Sequence, residues 1–303
     1  MTSLDLKRAR VSGGDMAFAD EGDGPAVLLL HGLPTSSHLW RDLVPMLSVR
    51  FRAIAPDLIG YGASEKPAGA PLDVAAQAGY VRQLLDHLGV ERFAVAGHDI
   101  GGGIAQLLAA EGGVEAMALV NSVAFDAWPV EGVRRLQAKA DVNAALAERF
   151  VRASFDLGMG HRDRLAEADL EAYLSPWLAE PAALHRAARA VDGTALADME
   201  ATLKGLEIPA FVLWGEDDPF IPASVGERLW ETLPQAGIAL LPGCGHFVTE
   251  DAPETALPIL AQFLRNRYLG EAGHDHADAE GPVAVDLGVS FERPPPPTGL
   301  EDE

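Results

Sequence analysis

Residues 95–103 read Val-Ala-Gly-His-Asp-Ile-Gly-Gly-Gly. An apolar run ends just before them, small residues crowd the centre, and Ile100, Ile104, Leu107 and Leu108 then fall on one face of a helix. A buried strand turning sharply into an amphipathic helix, with one side chain at the apex between small residues, is the layout of a nucleophile elbow. Here the apex is Asp99. Gly97 and Gly101 would let strand and helix pass closely, so the apex side chain stands exposed on a strained turn. It also faces a helix N-terminus, whose free amides and dipole favour a carboxylate. On this reading Asp99 stays ionised and able to attack. The alternative is that Asp99 only caps the helix.

Outward from the elbow, residues 25–31 read Pro-Ala-Val-Leu-Leu-Leu-His, and similar short apolar runs recur at 52–56, 92–97, 116–121, 209–214 and 237–241. Continuous runs of this length are strands buried on both faces. Helical patterns lie between several of them, which predicts a mostly parallel sheet covered by helices. Residues 6–20 read as an antiparallel hairpin turning at Ser12-Gly13-Gly14-Asp15. The stretch 125–205 has no strand-like run and is rich in Ala, Leu, Glu and Arg at helical spacing, so it is expected to be an all-helical insertion. Pro258 interrupts the helical pattern of 254–268 and is expected to mark a break or a new first turn. Residues 271–303 hold nine acidic residues against one Arg, with Pro294 to Pro297, a composition that predicts a disordered extension. His274 and His276 within it are read as incidental.

Composition narrows the function. The 303 residues are 48% hydrophobic and 22% charged, which excludes a fully disordered chain. Acidic residues number 45 against 23 basic, a formal net charge of −22, so nucleic acid and anionic membranes are poor partners. No run of 18 apolar residues and no signal-like N-terminus exist, so a cytoplasmic protein is expected. The single cysteine, Cys244, permits no internal disulfide and no cysteine-based metal site.

Two more segments join the elbow. Leu213-Trp214-Gly215-Glu216-Asp217-Asp218-Pro219 runs from an apolar strand into an acidic loop, where Asp218, or failing that Asp217, could orient a histidine. Leu241-Pro242-Gly243-Cys244-Gly245-His246-Phe247 places His246 on a Gly-rich loop after the last strand. Nucleophile, acid and histidine thus occur in that chain order, each after a different strand. After the strand at 25–31, the amides of Leu33 and Ile100 would form an oxyanion hole, and His31 would hold that loop.

These motifs, HGLP at 31–34, GHDIGG at 97–102, WGEDD at 214–218 and GCGH at 243–246, resemble those of the aspartate-nucleophile branch of the α/β-hydrolases, which includes haloalkane dehalogenases and soluble epoxide hydrolases. The resemblance implies an α/β-hydrolase fold with an eight-stranded sheet. Its core would span 1–124 and 206–270, and 125–205 would be a helical cap. It implies Asp99, Asp218 and His246 as catalytic residues and no cofactor or metal. Asp99 would form an alkyl ester by displacement at carbon, and water activated by His246 would hydrolyse it.

The family pattern breaks in places. Where dehalogenases of this type carry a halide-holding Trp after the nucleophile and an Asn in the HG-x-P loop, this chain has Ile100 and Leu33. Haloacid-type members resemble GHDRGGR, and Ile100 and Gly103 leave no clamp for a carboxylate. Epoxide hydrolases use two cap tyrosines, and here Tyr173 stands alone, with His161, His185 or a water as a second donor. Trp128, Tyr173 and Trp177 are the candidate substrate-binding residues, Trp177 being equally readable as core packing. The expected substrate is small, neutral and hydrophobic, an epoxide slightly ahead of a haloalkane. The competing readings are an ester, lactone or carbon–carbon bond hydrolase on the same fold, and a ligand-binding sensor without turnover.

Overall fold

The computed structural model describes residues 4–270. The N-terminal hairpin is β1 (Leu6–Val11) and β2 (Gly14–Glu21), with Val11 opposite Gly14. The apolar runs form β3 (Ala26–Leu30), β4 (Arg52–Pro56), β5 (Phe93–His98), β6 (Val114–Val120), β7 (Ala210–Gly215) and β8 (Ala236–Leu241). Together they make one eight-stranded sheet in the order β1-β2-β4-β3-β5-β6-β7-β8. Pairing is antiparallel from β1 through β2 to β4 and parallel across the rest. This is the mostly parallel sheet that the runs predict.

The runs are largely apolar because the sheet has helices on both faces. Side chains alternate in direction along a strand. Leu28 and Leu30 of β3 join one core cluster, whereas Val27 and Leu29 join the other. Before the insertion the chain forms α1 (Leu43–Ser48), α2 (Val74–His87) and α3 (Ile100–Glu111). Between β6 and β7 lie α4 (Glu131–Gln137), α5 (Ala144–Gly158), α6 (Glu167–Ala179), α7 (Pro181–Ala190) and α8 (Met199–Lys204). Then come α9 (Ala223–Thr232), α10 (Val248–Asp251) and α11 (Pro253–Arg267). Residues of α2, α3 and α9 pack in the first cluster, those of α1 and α11 in the second.

The insertion is helical, as the Ala-, Leu-, Glu- and Arg-rich stretch predicts. Asn143 caps α5 by accepting the Leu146 N–H at 3.0 Å. Phe155, Leu170, Leu174 and Leu184 are fully buried between its helices and the core. Burial of each such side chain stabilises by about 1.5–3 kcal/mol. A polar seam fastens α6 to the sheet domain. Trp177 donates its indole N–H to the Pro34 carbonyl at 2.7 Å. Arg41 makes a bidentate pair with Glu250 at 2.6 and 2.8 Å, and the Tyr173 hydroxyl donates to the same carboxylate at 2.5 Å.

Pro258 does not break the last helix: α11 runs through it. Its missing N–H leaves only the Glu254 carbonyl without a helical donor. The packing of Leu257, Ile259, Leu260, Phe263 and Leu264 holds the helix on the sheet. The acidic segment 271–303, with His274 and His276, lies outside the described residues. Among the described residues no helix is long and apolar enough to cross a membrane.

Candidate active site

β5 ends at His98 and α3 begins at Ile100, so the whole turn rests on Asp99, at φ 51° and ψ −122°. That backbone is strained for a residue with a Cβ and needs support from its surroundings. The glycines supply the room. A Cβ on Gly97 would stand 2.3 Å from the Gly101 carbonyl oxygen, and one on Gly101 2.4 Å from that of Leu30. The Asp99 carboxylate makes no capping bond to its own helix. Its Oδ2 instead accepts the Leu33 N–H at 2.9 Å. Its Oδ1 is buried and has no hydrogen-bond partner among the described residues. Gly32 permits this approach, since a Cβ there would meet the Asp99 Cβ at 2.4 Å. His31 holds the loop, accepting the Leu58 N–H at Nε2 and donating from Nδ1 to the Gly32 carbonyl, both at 3.0 Å.

His246 shares a cavity wall with Asp99, and its Nδ1 is 2.8 Å from Asp218 Oδ2. Asp218 is held in turn. Its Oδ1 accepts the N–H groups of Phe220 at 2.8 Å and Ile221 at 3.0 Å, and its Oδ2 accepts the Asn121 amide at 2.8 Å. Asp217 and Glu216 are exposed on the same loop. The carbonyl of His246 accepts a hydrogen bond from His98 Nε2 at 3.0 Å.

The electrostatics follow from burial and pairing. Loss of water pushes the Asp99 carboxyl up to about 7, against the opposing pull of His246 and of the Leu33 and Ile100 amides, with Asp218 adding to the rise. The helix-end amides do not outweigh desolvation. Burial works against a charged His246, yet Asp218, by charge and hydrogen bond, and Asp99 lift its imidazole above the ordinary value. Burial likewise opposes ionisation of Asp218, but His246, the Ile221 amide and Asn121 hold its carboxyl low. Burial and the neighbouring His246 push His98 down to about 3, so it is neutral.

The cavity holding Asp99 and His246 is small, about 40 Å³, and apolar. Leu33, Trp128, Val130, Val133, Phe150, Ser154, Phe220 and Phe247 complete its wall. A much larger open groove, about 780 Å³, runs between residues 68–75 and 185–195, but Asp99, His246 and Asp218 are not on it. Of the three candidate substrate contacts only Trp128 lines the small cavity, and its indole N–H has no partner. Tyr173 and Trp177 do not line it; their donors are engaged by Glu250 and by the Pro34 carbonyl. His185 lies on the large groove instead. Sequence reasoning missed Asn121, His98 and the lining residues Val130, Val133, Phe150 and Phe220. An Asn directly after a buried strand, at the edge where open sheets gather their ligands, was the available signal for Asn121.

Comparison with known proteins fits this geometry. A model of the alpha/beta hydrolase fold family matches residues 25–253. The chain belongs to the α/β-hydrolase family. This α/β hydrolase is 33% identical over 266 residues to haloalkane dehalogenase 2 of Mycobacterium tuberculosis, covering 83% of the chain and 92% of that protein. It is 31% identical over 282 residues to a cis-3-alkyl-4-alkyloxetan-2-one decarboxylase of Xanthomonas campestris, covering 84% of the chain and 93% of that protein. A crystal structure of an alpha/beta hydrolase fold protein from Burkholderia ambifaria superposes with a TM-score of 0.79 at 31% identity, over 85% of this chain and 97% of that one. The α/β hydrolase is an enzyme of the hydrolase type in the dehalogenase-like branch.

Proposed function

We propose that the enzyme opens a small, neutral, hydrophobic electrophile in two steps, with Asp99 as nucleophile. The observation that carries this is the unequal treatment of the two Asp99 oxygens. Oδ2 is held by the Leu33 amide and Oδ1 is bare, in a cavity shared with His246. The free oxygen attacks a saturated carbon and the leaving group departs with the bonding electrons, giving an alkyl ester on Asp99. His246, oriented by Asp218, then takes a proton from water, and the resulting hydroxide attacks the Asp99 carboxyl carbon. The oxyanion forms on Oδ2, already beside the Leu33 N–H. On collapse the departing alkoxide takes the proton back from His246 and leaves as the alcohol, and the new carboxyl loses its remaining proton to solvent, restoring the carboxylate. General-base help of this kind contributes about 10²–10⁴-fold.

The donors favour a halide over an epoxide as the group displaced. An epoxide oxygen needs a proton, and the Tyr173 hydroxyl is turned to Glu250, away from the cavity wall. A halide needs only a hydrogen bond, and Trp128 has an unspent indole N–H. The cap role of 125–205 fits, because Trp128, Val130, Val133, Phe150 and Ser154 all belong to it. A second reading, a strained β-lactone, rests on the similarity to the oxetan-2-one decarboxylase.

His246→Gln is the test. Incubated with 1-bromoalkanes, terminal epoxides and a β-lactone, it should release one equivalent of leaving group or open one ring. Mass spectrometry should then find the adduct on the peptide carrying Asp99. In ¹⁸O-water, single turnover of the wild type should move the label into the enzyme carboxylate. A label found only in the alcohol, or an adduct elsewhere, refutes the two-step reading.

A further inference from the structure

Five residues beyond His246, the fully buried Asp251 closes α10. Its carboxylate spans two segments far apart in sequence. Oδ2 accepts the Gly245 N–H at 2.7 Å and the Gly160 N–H at 3.1 Å, and Oδ1 accepts the His161 N–H at 2.8 Å. The bonds are returned from the other side, where the His246 N–H donates to the Gly158 carbonyl at 2.6 Å and that of Phe247 at 3.4 Å. The two backbones pass in bare contact. A Cβ on Gly245 would stand 2.3 Å from the Gly158 oxygen, and one on Gly160 1.8 Å from the Gly243 oxygen. The turn after α5 and the His246 loop are therefore one hydrogen-bonded unit, with the Asp251 carboxylate at its centre. Asp251 does not line the cavity.

We propose that Asp251 is a positioning residue for ester hydrolysis. It fixes the His246 loop against the end of α5, so that the imidazole is held for its work as a base, while the attack by Asp99 does not depend on it. This rests on the two-step reading above. The separation is physical. Asp99 and the amides of Leu33 and Ile100 sit on the β5–α3 turn and the loop after β3, and none of them bonds to Asp251. A loosened clamp moves the base; the His246 loop meets the nucleophile turn through the His98 Nε2 bond to the His246 carbonyl, and the Leu33 amide that holds Asp99 is on a different loop.

Asp251→Asn keeps the volume and turns one oxygen into a donor. That donor must face either the His161 N–H or the Gly245 and Gly160 N–H groups, so part of the clamp opens. The experiment uses the C2–C6 1-bromoalkane that the wild type turns over best. Small displacements of a catalytic group lower rates by up to about 10²-fold, and a fall in kcat and KM together of about tenfold or more is expected. Because kcat/KM reports the steps through halide loss, it should stay within about twofold. An ester on Asp99 should build up during turnover. A fall in kcat/KM equal to that in kcat, unchanged kinetics, or a variant that does not fold makes Asp251 a purely structural residue and overturns the proposal. His246→Gln is run beside it: if that variant forms no ester, the two-step reading has failed; if it does, the Asp251 result stands by itself.

Discussion

Replacing Asp99 by Asn should stabilise the folded enzyme while abolishing the reaction. The carboxyl titrates at about 7 in the folded chain and at 3.8 when solvated. Each pH decade between those points costs the fold about 1.4 kcal/mol, so the ionised carboxylate costs about 4 kcal/mol above pH 7. The sign follows from proton counts. The folded state holds a proton that the unfolded state has lost between the two values, so the penalty is absent below about pH 4. It grows as the pH rises from there and is level above about 7. Asn keeps the shape, and its carbonyl can still accept the Leu33 N–H. His246 is lifted partly by Asp99, so the comparison is carried up to pH 9, well above the ordinary imidazole range. Urea unfolding at pH 5, 7 and 9 should give Asp99→Asn a higher midpoint at unchanged m-value. The advantage should be about 2 kcal/mol or more at pH 9 and should shrink toward pH 5. No advantage at pH 9, or one independent of pH, would refute the claim that desolvation of this carboxylate is stored in the fold.

The same electrostatics set the pH profile. Attack needs ionised Asp99, so kcat/KM should fall about tenfold per pH unit below about 7. Hydrolysis needs neutral His246, and alkylation removes the Asp99 charge that helps lift it, so kcat should titrate at lower pH than His246 of the free enzyme does. A stopped-flow pH series separates the two, and a flat kcat/KM between pH 5.5 and 7 would contradict the first. Trp128→Phe should slow halide loss by about 10–100-fold, the range of a hydrogen bond to a charged group. The loss should be greater for a chloroalkane than for the matching iodoalkane, since chloride relies more on its donor. Equal losses in the halide-release assay would mean that the indole only packs.

Much of the architecture was legible because burial leaves a continuous mark. A strand covered on both faces is apolar along most of its length, so β3 to β8 stand out along the chain, and the glycines around Asp99 are dictated by backbone so close that a Cβ on Gly97 would stand 2.3 Å from the Gly101 carbonyl oxygen. Triad spacing picked Asp218 over Asp217, and the structure puts Asp218, not its exposed neighbour, beside His246. What the pattern left open was side-chain direction across the insertion. Tyr173 and Trp177 have the right chemistry and region, but helix α6 turns one toward Glu250 and the other toward Pro34. No local pattern encodes that partnership, which joins residues 77 and 143 positions apart.

The bare-backbone junction of residues 158–160 with 243–245 also gives helix α5 a direction. Its C-terminal end is riveted to the sheet domain, whereas its other end starts at the Asn143 cap beside exposed residues. The two cavity residues on α5, Phe150 and Ser154, lie progressively nearer that rivet along the helix. Reshaping the enzyme for bulkier molecules should therefore begin at position 150 and leave the glycines of the rivet alone.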